Sequence, residues 1–264
     1  MQIMRPTNNR ETLPWPRRSA IAFGPGRAFM TKNTYGDRTL AVLGALENAG
    51  VTRAALIMRH SAREYVPGRH DLANPLTDAG RAYARHFGER LGQGWALRAY
   101  SSPAGRCVET AELICQGQNA SPLGRVRPVE ALGVFYALDQ QRMFKAMTEI
   151  SMNLPSFVAA WQAGALAEDI MMNAEQAAIT LLRLLWVRLR ARPEGDGRAL
   201  LDVHVSHDLT LYLLRTVAGG LAPSEDAPVR YLDGLVLFEA EGQAFLTTHD
   251  LPPRPLPWLT KETF

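Results

Sequence analysis

The sequence predicts a three-layer α/β/α sandwich with a mostly parallel central sheet and a small helical insertion. Three observations point to it. The runs Ala54–Met58, Trp95–Ser101 and Ala199–Val205 are short and largely apolar, as strands buried on both faces are. Segments of helical period alternate with them along the chain. The first and third runs end abruptly in charged or imidazole side chains, and the second in Ser101-Ser102-Pro103, with Arg106 just beyond. Ligands of parallel α/β sheets sit at the carboxyl ends of strands.

The 264 residues can bury one sizeable core, with room for an inserted subdomain. Residues 1–36 read as an irregular N-terminal arm, punctuated by Pro6, Pro14, Pro16, Gly24, Pro25, Gly26 and Gly36. Residues 37–264 read as a single domain. Asp37 can cap a helix from Arg38 to Asn48, which Gly50 stops. After the first strand, a loop with Pro67, Gly68, His70 and Pro75 leads to Thr77, an N-cap for a helix from Asp78 to Leu91. The second strand and a helix from Ala104 to Gln116 follow. Residues 117–173 read as a cap insertion: a short strand within Val126–Val134 carrying Glu130, then helices over Phe135–Met147 and Leu154–Leu166. Ala174–Arg190 is the longest helix, and the third strand ends at Ser206-His207-Asp208, where the helix Leu209–Val217 begins. Leu235–Phe238 and Gln243–Thr248 form a hairpin about Glu241-Gly242, and the proline-rich residues 251–257 are extended.

Composition excludes several classes. Net charge is only +3, the basic residues are almost all Arg, and no basic run is interleaved with aromatics, which argues against a nucleic-acid partner. The apolar helix Ala177–Leu189 is short and carries Arg183 and Arg188, so it is a core helix and no membrane partner is expected. Cys107 and Cys115 share one helix, ~12 Å apart by its rise and too far to bridge, so a reduced, cytoplasmic protein is expected. Oligomeric state is silent in the sequence.

The chemistry concentrates in three pieces: Arg59-His60-Ser61-Ala62-Arg63, Ser101-Ser102-Pro103-Ala104-Gly105-Arg106, and Ser206-His207-Asp208. A buried strand that ends in one imidazole flanked by guanidinium groups is costly unless an anion pairs with them. Arg suits phosphate because its planar fork donates two parallel hydrogen bonds. Each piece alone also fits an ordinary solvated strand end or helix start. His204 lies three residues before His207, so a metal pair is conceivable, but odd spacing in a strand points side chains to opposite faces. His86 reads as a surface residue, and His70 could line the mouth of the site.

Together the three pieces resemble the histidine phosphatase superfamily, the phosphoglycerate-mutase-like fold. Arg59-His60 resembles its Arg-His-Gly signature, with Ser61 in place of the glycine. Arg63 and the His207-Asp208 pair resemble the acid-phosphatase branch; the mutase branch commonly has His-Gly. Asn74-Pro75-Leu76-Thr77-Asp78-Ala79-Gly80 resembles the family's Leu-Thr-x-x-Gly helix start, and the run from Ser101 to Ala111 its second arginine element. The match covers residues 52–116 and 199–218.

The resemblance implies a metal-independent phosphomonoesterase without cofactor, acting on a small phosphate ester through a phosphohistidine. His60 would be the nucleophile, with Arg59, Arg63, Arg106 and His207 holding the phosphoryl oxygens. Asp208 would protonate the leaving oxygen, with Glu130 as the alternative proton donor. A phosphomutase, or a non-catalytic phosphate-binding module of the same fold, is the competing reading.

Overall fold

The computed structural model describes residues 34–66, 73–118, 125–150, 153–191 and 198–260. All of them belong to the unit spanning residues 32–264. The arm expected at residues 1–36 falls outside the described residues up to residue 33, and so does His70.

Helix α1 spans Asp37–Asn48. Its N-cap is Gly36, at φ 90°, and not Asp37; the Asp37 carboxylate instead accepts the Thr34 N–H at 3.1 Å. Strand β1, Arg53–Arg59, is buried throughout its interior, which explains its unbroken apolar run. Helix α2, Asp78–Arg90, is capped as expected by the Thr77 hydroxyl, which accepts the Gly80 N–H at 2.9 Å. Strand β2, Trp95–Ser101, and helix α3, Gly105–Gly117, follow. Both cysteines lie in α3, buried and free.

The region between α3 and the long helix departs from expectation in register. Strand β3 is only Arg127–Pro128, and Glu130 opens a 3-10 turn, Glu130–Leu132. Helix α4 runs Gln140–Ile150, later than the expected Phe135–Met147. Residues 134–139 instead form turns in which Ala137 pairs with Met171, so their aromatic content reflects packing and not helical period. Helix α5 is Leu154–Gln162, capped by Asn153, and helix α6 is Ala174–Arg190. Strand β4, Ala199–Ser206, leads directly into helix α7, Asp208–Val217. Strands β5 (Gly234–Ala240), β6 (Gln243–Thr248) and β7 (Leu251–Pro255) and the short helix α8 (Pro257–Thr260) complete the chain. Glu241 and Gly242 both adopt positive φ, as the tight hairpin turn requires.

The sheet order is β3-β2-β4-β1-β5-β6-β7. The first four strands are parallel and the last three add antiparallel at one edge. Two apolar layers cover its faces. One packs α1, α2 and α3 against Leu56, Met58, Val203 and Val205; the other packs α4 to α7 against Ile57, Tyr100 and Leu237. Register then sets the site. Arg59 of β1 lies beside Ser206 of β4, and Ser101 of β2 beside Val205. The three central strands therefore end at one rim, and the next residues are His60, Ser102 and His207.

Candidate active site

The rim assembles the predicted pieces around His60, which is 2% exposed. Its Nδ1 lies 2.7 Å from the Ser61 carbonyl. A carbonyl only accepts, so Nδ1 carries the proton and Nε2 a lone pair. That Nε2 accepts the Arg106 Nε–H at 3.0 Å. Burial, then the Arg106 guanidinium, hold the imidazole well below its usual 6.5, so it stays unprotonated at neutral pH. Arg106 reaches this place because it stands in the first turn of α3, buried under the rim. Its Nη2 also donates toward His207 Nδ1 at 3.4 Å, and His207 Nε2 donates to the Ser102 hydroxyl at 2.9 Å. The two imidazoles meet edge to face, 5.7 Å between centroids.

Arg59 approaches from the other side. Its Nη2 pairs with Asp208 at 2.8 Å and its Nη1 donates to the Val229 carbonyl at 2.8 Å. Its Nε is buried with no hydrogen-bond acceptor among the described residues. Both oxygens of Asp208 are engaged, Oδ2 by Arg59 and Oδ1 by its neighbour's Leu209 N–H at 2.9 Å. Arg63 lies on the loop beyond, its backbone paired with Leu76 and its Nη1 donating to the Glu64 carbonyl at 3.1 Å. Glu130 is exposed. It lines a cavity of about 420 Å³ together with Ser102, His207, Phe135 and Gln140. His204, the other half of the conceivable metal pair, lies among a different set of residues, stacked on Tyr100 at 4.9 Å. Among the described residues no three His, Cys, Asp or Glu side chains gather as metal ligands.

Ser61 does not face the site. It is fully buried, its hydroxyl donates to the Gly80 carbonyl at 2.7 Å, and its N–H donates to the Thr110 hydroxyl at 3.2 Å. Thr110 in turn donates to the Arg106 carbonyl at 2.7 Å. The loop carrying the histidine is thus tied to the helix carrying the arginine. Gly80 is required here, because a Cβ would come within 2.0 Å of the Ala62 carbonyl oxygen. Sequence reasoning missed Thr110 and Tyr231 as site residues. Thr110 stood within the second arginine element; Tyr231, with the Arg59 guanidinium 4.2 Å from its ring centroid, carried no signal.

Comparisons with known proteins place the chain as a whole. Residues 55–225, about two thirds of the chain, match the family model described as histidine phosphatase superfamily (branch 1). Among solved structures the chain is similar to YhfR of Bacillus stearothermophilus, at 18% identity over 74% of this chain and 95% of that one, with a TM-score of 0.50. It is also similar to a structure named Mycobacterial hydrolase 2, at 19% identity over 77% of this chain and 88% of that one, TM-score 0.50. A further similarity is to a Bombix mori ecdysone phosphate phosphatase in complex with tungstate, at 18% identity over 76% and 94%, TM-score 0.45. Comparison with curated proteins found no match.

Proposed function

The chain belongs to the histidine phosphatase superfamily, and from that premise we propose that it is a metal-independent phosphomonoesterase acting on a small phosphate ester through a phosphohistidine. The observation that carries this reading is the state of His60: Nδ1–H committed to the Ser61 carbonyl, and the Nε2 lone pair facing Arg106. In the first step Nε2 attacks phosphorus, the ester P–O bond breaks, and the leaving oxygen takes a proton from a carboxylic acid. In the second, water attacks the phosphohistidine, gives its proton to the same carboxylate, and His60 is released with orthophosphate. Arg106, the Nε of Arg59, which has no acceptor among the described residues, and the His207 Nε2–H, once it turns from the Ser102 hydroxyl, supply donors to the phosphoryl oxygens. Arg63 contributes from the loop. The two free, buried cysteines fit the cytoplasmic, reducing setting we assign to it.

Two carboxylates compete for the proton. Asp208 is at the rim, but both its oxygens already accept hydrogen bonds. Glu130 lines the cavity that opens onto His207, where a leaving group has room, and this favours Glu130 as the acid. The test is turnover of p-nitrophenyl phosphate with EDTA present, comparing the wild type with His60→Ala. Turnover that His60→Ala abolishes is expected; no wild-type turnover between pH 4 and 9 overturns the enzyme in favour of a phosphate-binding module. Loss of turnover in EDTA overturns the metal-free route, and phosphoryl transfer between sugar or glycerate hydroxyls would make it a mutase. Glu130→Gln should slow alkyl phosphates more than p-nitrophenyl phosphate, whose leaving group needs no proton. If Asp208→Asn does this and Glu130→Gln does not, Asp208 is the acid.

A further inference from the structure

Arg59 is held on several sides by a structure larger than the motif it belongs to. Its guanidinium carbon stands 4.2 Å from the centroid of the Tyr231 ring. Asp208 takes Nη2 and the Val229 carbonyl takes Nη1, which leaves Nε as its buried donor without an acceptor among the described residues. Tyr231 is itself fixed. Its ring lies 5.9 Å from the His60 ring and meets Tyr35 edge to face at 5.3 Å; Tyr35 meets Tyr83 the same way at 5.2 Å. The turn that presents it is strained and heavily tied. Leu232 holds φ 59°, a conformation costly for a branched apolar residue. Its N–H donates to the Arg59 carbonyl at 3.2 Å, and its own carbonyl accepts the Thr39 hydroxyl at 2.8 Å. The Asp233 carboxylate accepts the Arg230 N–H at 2.7 Å and the Arg38 guanidinium at 2.5 Å, while the Asp233 carbonyl accepts the Arg59 N–H at 2.9 Å.

Strain kept in place by this many bonds marks a position whose geometry matters. An arginine with two of its three nitrogens occupied by protein acceptors, and one face covered by an aromatic ring, can turn only at the expense of those contacts. We propose that Tyr231 is a positioning residue: its ring face clamps the Arg59 guanidinium so that the remaining Nε–H is held as an oriented donor for a tetrahedral oxyanion. The proposal rests on the reading of this rim as a phosphoryl site. It assigns a function to a residue that lies outside all three motifs in the sequence, and it makes the Leu232 turn part of the anion-binding apparatus.

The test is tungstate and orthophosphate binding to the full chain by titration calorimetry, which needs no turnover. Tyr231→Phe keeps the ring face and should bind within about twofold of the wild type. Tyr231→Leu removes it and should bind about three- to thirty-fold more weakly, the range of a cation–π contact. With p-nitrophenyl phosphate the loss should fall on KM more than on kcat. Should the leucine variant fail to fold, 3,4,5-trifluorophenylalanine at position 231 keeps the shape but drains the ring face, and it should weaken binding relative to Tyr231→Phe. Equal affinity in the phenylalanine and trifluorophenylalanine proteins, or a folded leucine variant that binds like the wild type, overturns the clamp. A wild type that binds oxyanions but hydrolyses no ester sinks the phosphatase reading and leaves the clamp standing. A wild type that binds neither oxyanion sinks the clamp.

Discussion

Ser61 occupies the position where the family signature has glycine, and its contacts allow a sharp prediction. Replacing it with glycine deletes a fully buried hydroxyl that donates to the Gly80 carbonyl at 2.7 Å. A buried neutral hydrogen bond is worth about 0.5–1.5 kcal/mol. Ser61 is not among the residues with positive φ, so glycine relieves no strain there and adds about 0.5–1 kcal/mol of chain freedom to the unfolded state. The sum is about 1–2.5 kcal/mol, or a fall of about 2–10 °C in melting temperature for a domain of this size. Ser61→Ala keeps the backbone stiff and should lose only the first part. Activity should change less than about threefold in either variant, because His60 is held by the Ser61 carbonyl and not by its side chain. Thermal melting and p-nitrophenyl phosphate turnover on the same samples decide it. A change in kcat/KM above tenfold with an unshifted melting curve would refute the argument, because the hydroxyl would then be acting on the reaction.

Three further predictions concern charge. His60 is held below 6.5 by burial and then by Arg106, so the acid limb of kcat/KM should lie below pH 6.5 and move to higher pH in Arg106→Gln, read from a full pH profile. His204, pushed down to about 3 by burial, stays neutral in the fold while the unfolded chain takes up its proton below 6.5. Stability should therefore fall as pH drops from 6.5 toward 3, and His204→Phe should flatten that fall in urea midpoints measured across the range. The bidentate pair of Arg98 with Asp202, at 2.5 and 2.6 Å, is buried between β2 and β4. Asp202→Ala should cost about 3–5 kcal/mol by urea denaturation, and the double variant Arg98→Met, Asp202→Leu should recover most of it.

The parts legible in the sequence are those whose physics is local. Strands β1, β2 and β4 are buried on both faces, so their runs are apolar without alternation, and their ends announce themselves by a change to His, Arg and Ser. Thr77 and Gly80 were readable as a helix start, although the closeness of Gly80 to the Ala62 carbonyl was not. Residues 134–139 misled because Phe135 and Tyr136 pack through turns with the density of a helix face. Asp37 misled because a glycine with positive φ took the cap position one residue earlier. Tyr231 was invisible for a deeper reason. It reaches Arg59 across 172 residues through a turn shaped by Leu232 and Asp233, and no period or spacing encodes such a contact.

The two arginines nearest His60 are compensated in different ways, and the difference bears on the choice of acid. Arg106 rests on two imidazoles, donating to His60 Nε2 and toward His207 Nδ1. Arg59 rests on a carboxylate and a carbonyl. An incoming phosphoryl dianion competes readily with imidazole nitrogens for a guanidinium, because charge-assisted bonds to anionic oxygen are about twice as strong as neutral ones. On the proposed phosphohistidine route, a phosphoryl group that took Arg106 would free the Nε2 lone pair of His60 for attack. At Arg59 it would have no need to break the pair with Asp208, because Nε has no acceptor among the described residues. If Asp208 were the acid, Arg59 would have to release it in the same step in which it binds the phosphoryl group. If Glu130 is the acid, the Arg59–Asp208 pair persists through the reaction, and Asp208 serves to hold Arg59 still. The two readings part in one measurement. Asp208→Asn, which keeps a hydrogen-bond acceptor for Nη2, should then lose rate equally for p-nitrophenyl and alkyl phosphates, whereas an acid's loss is concentrated in the alkyl esters.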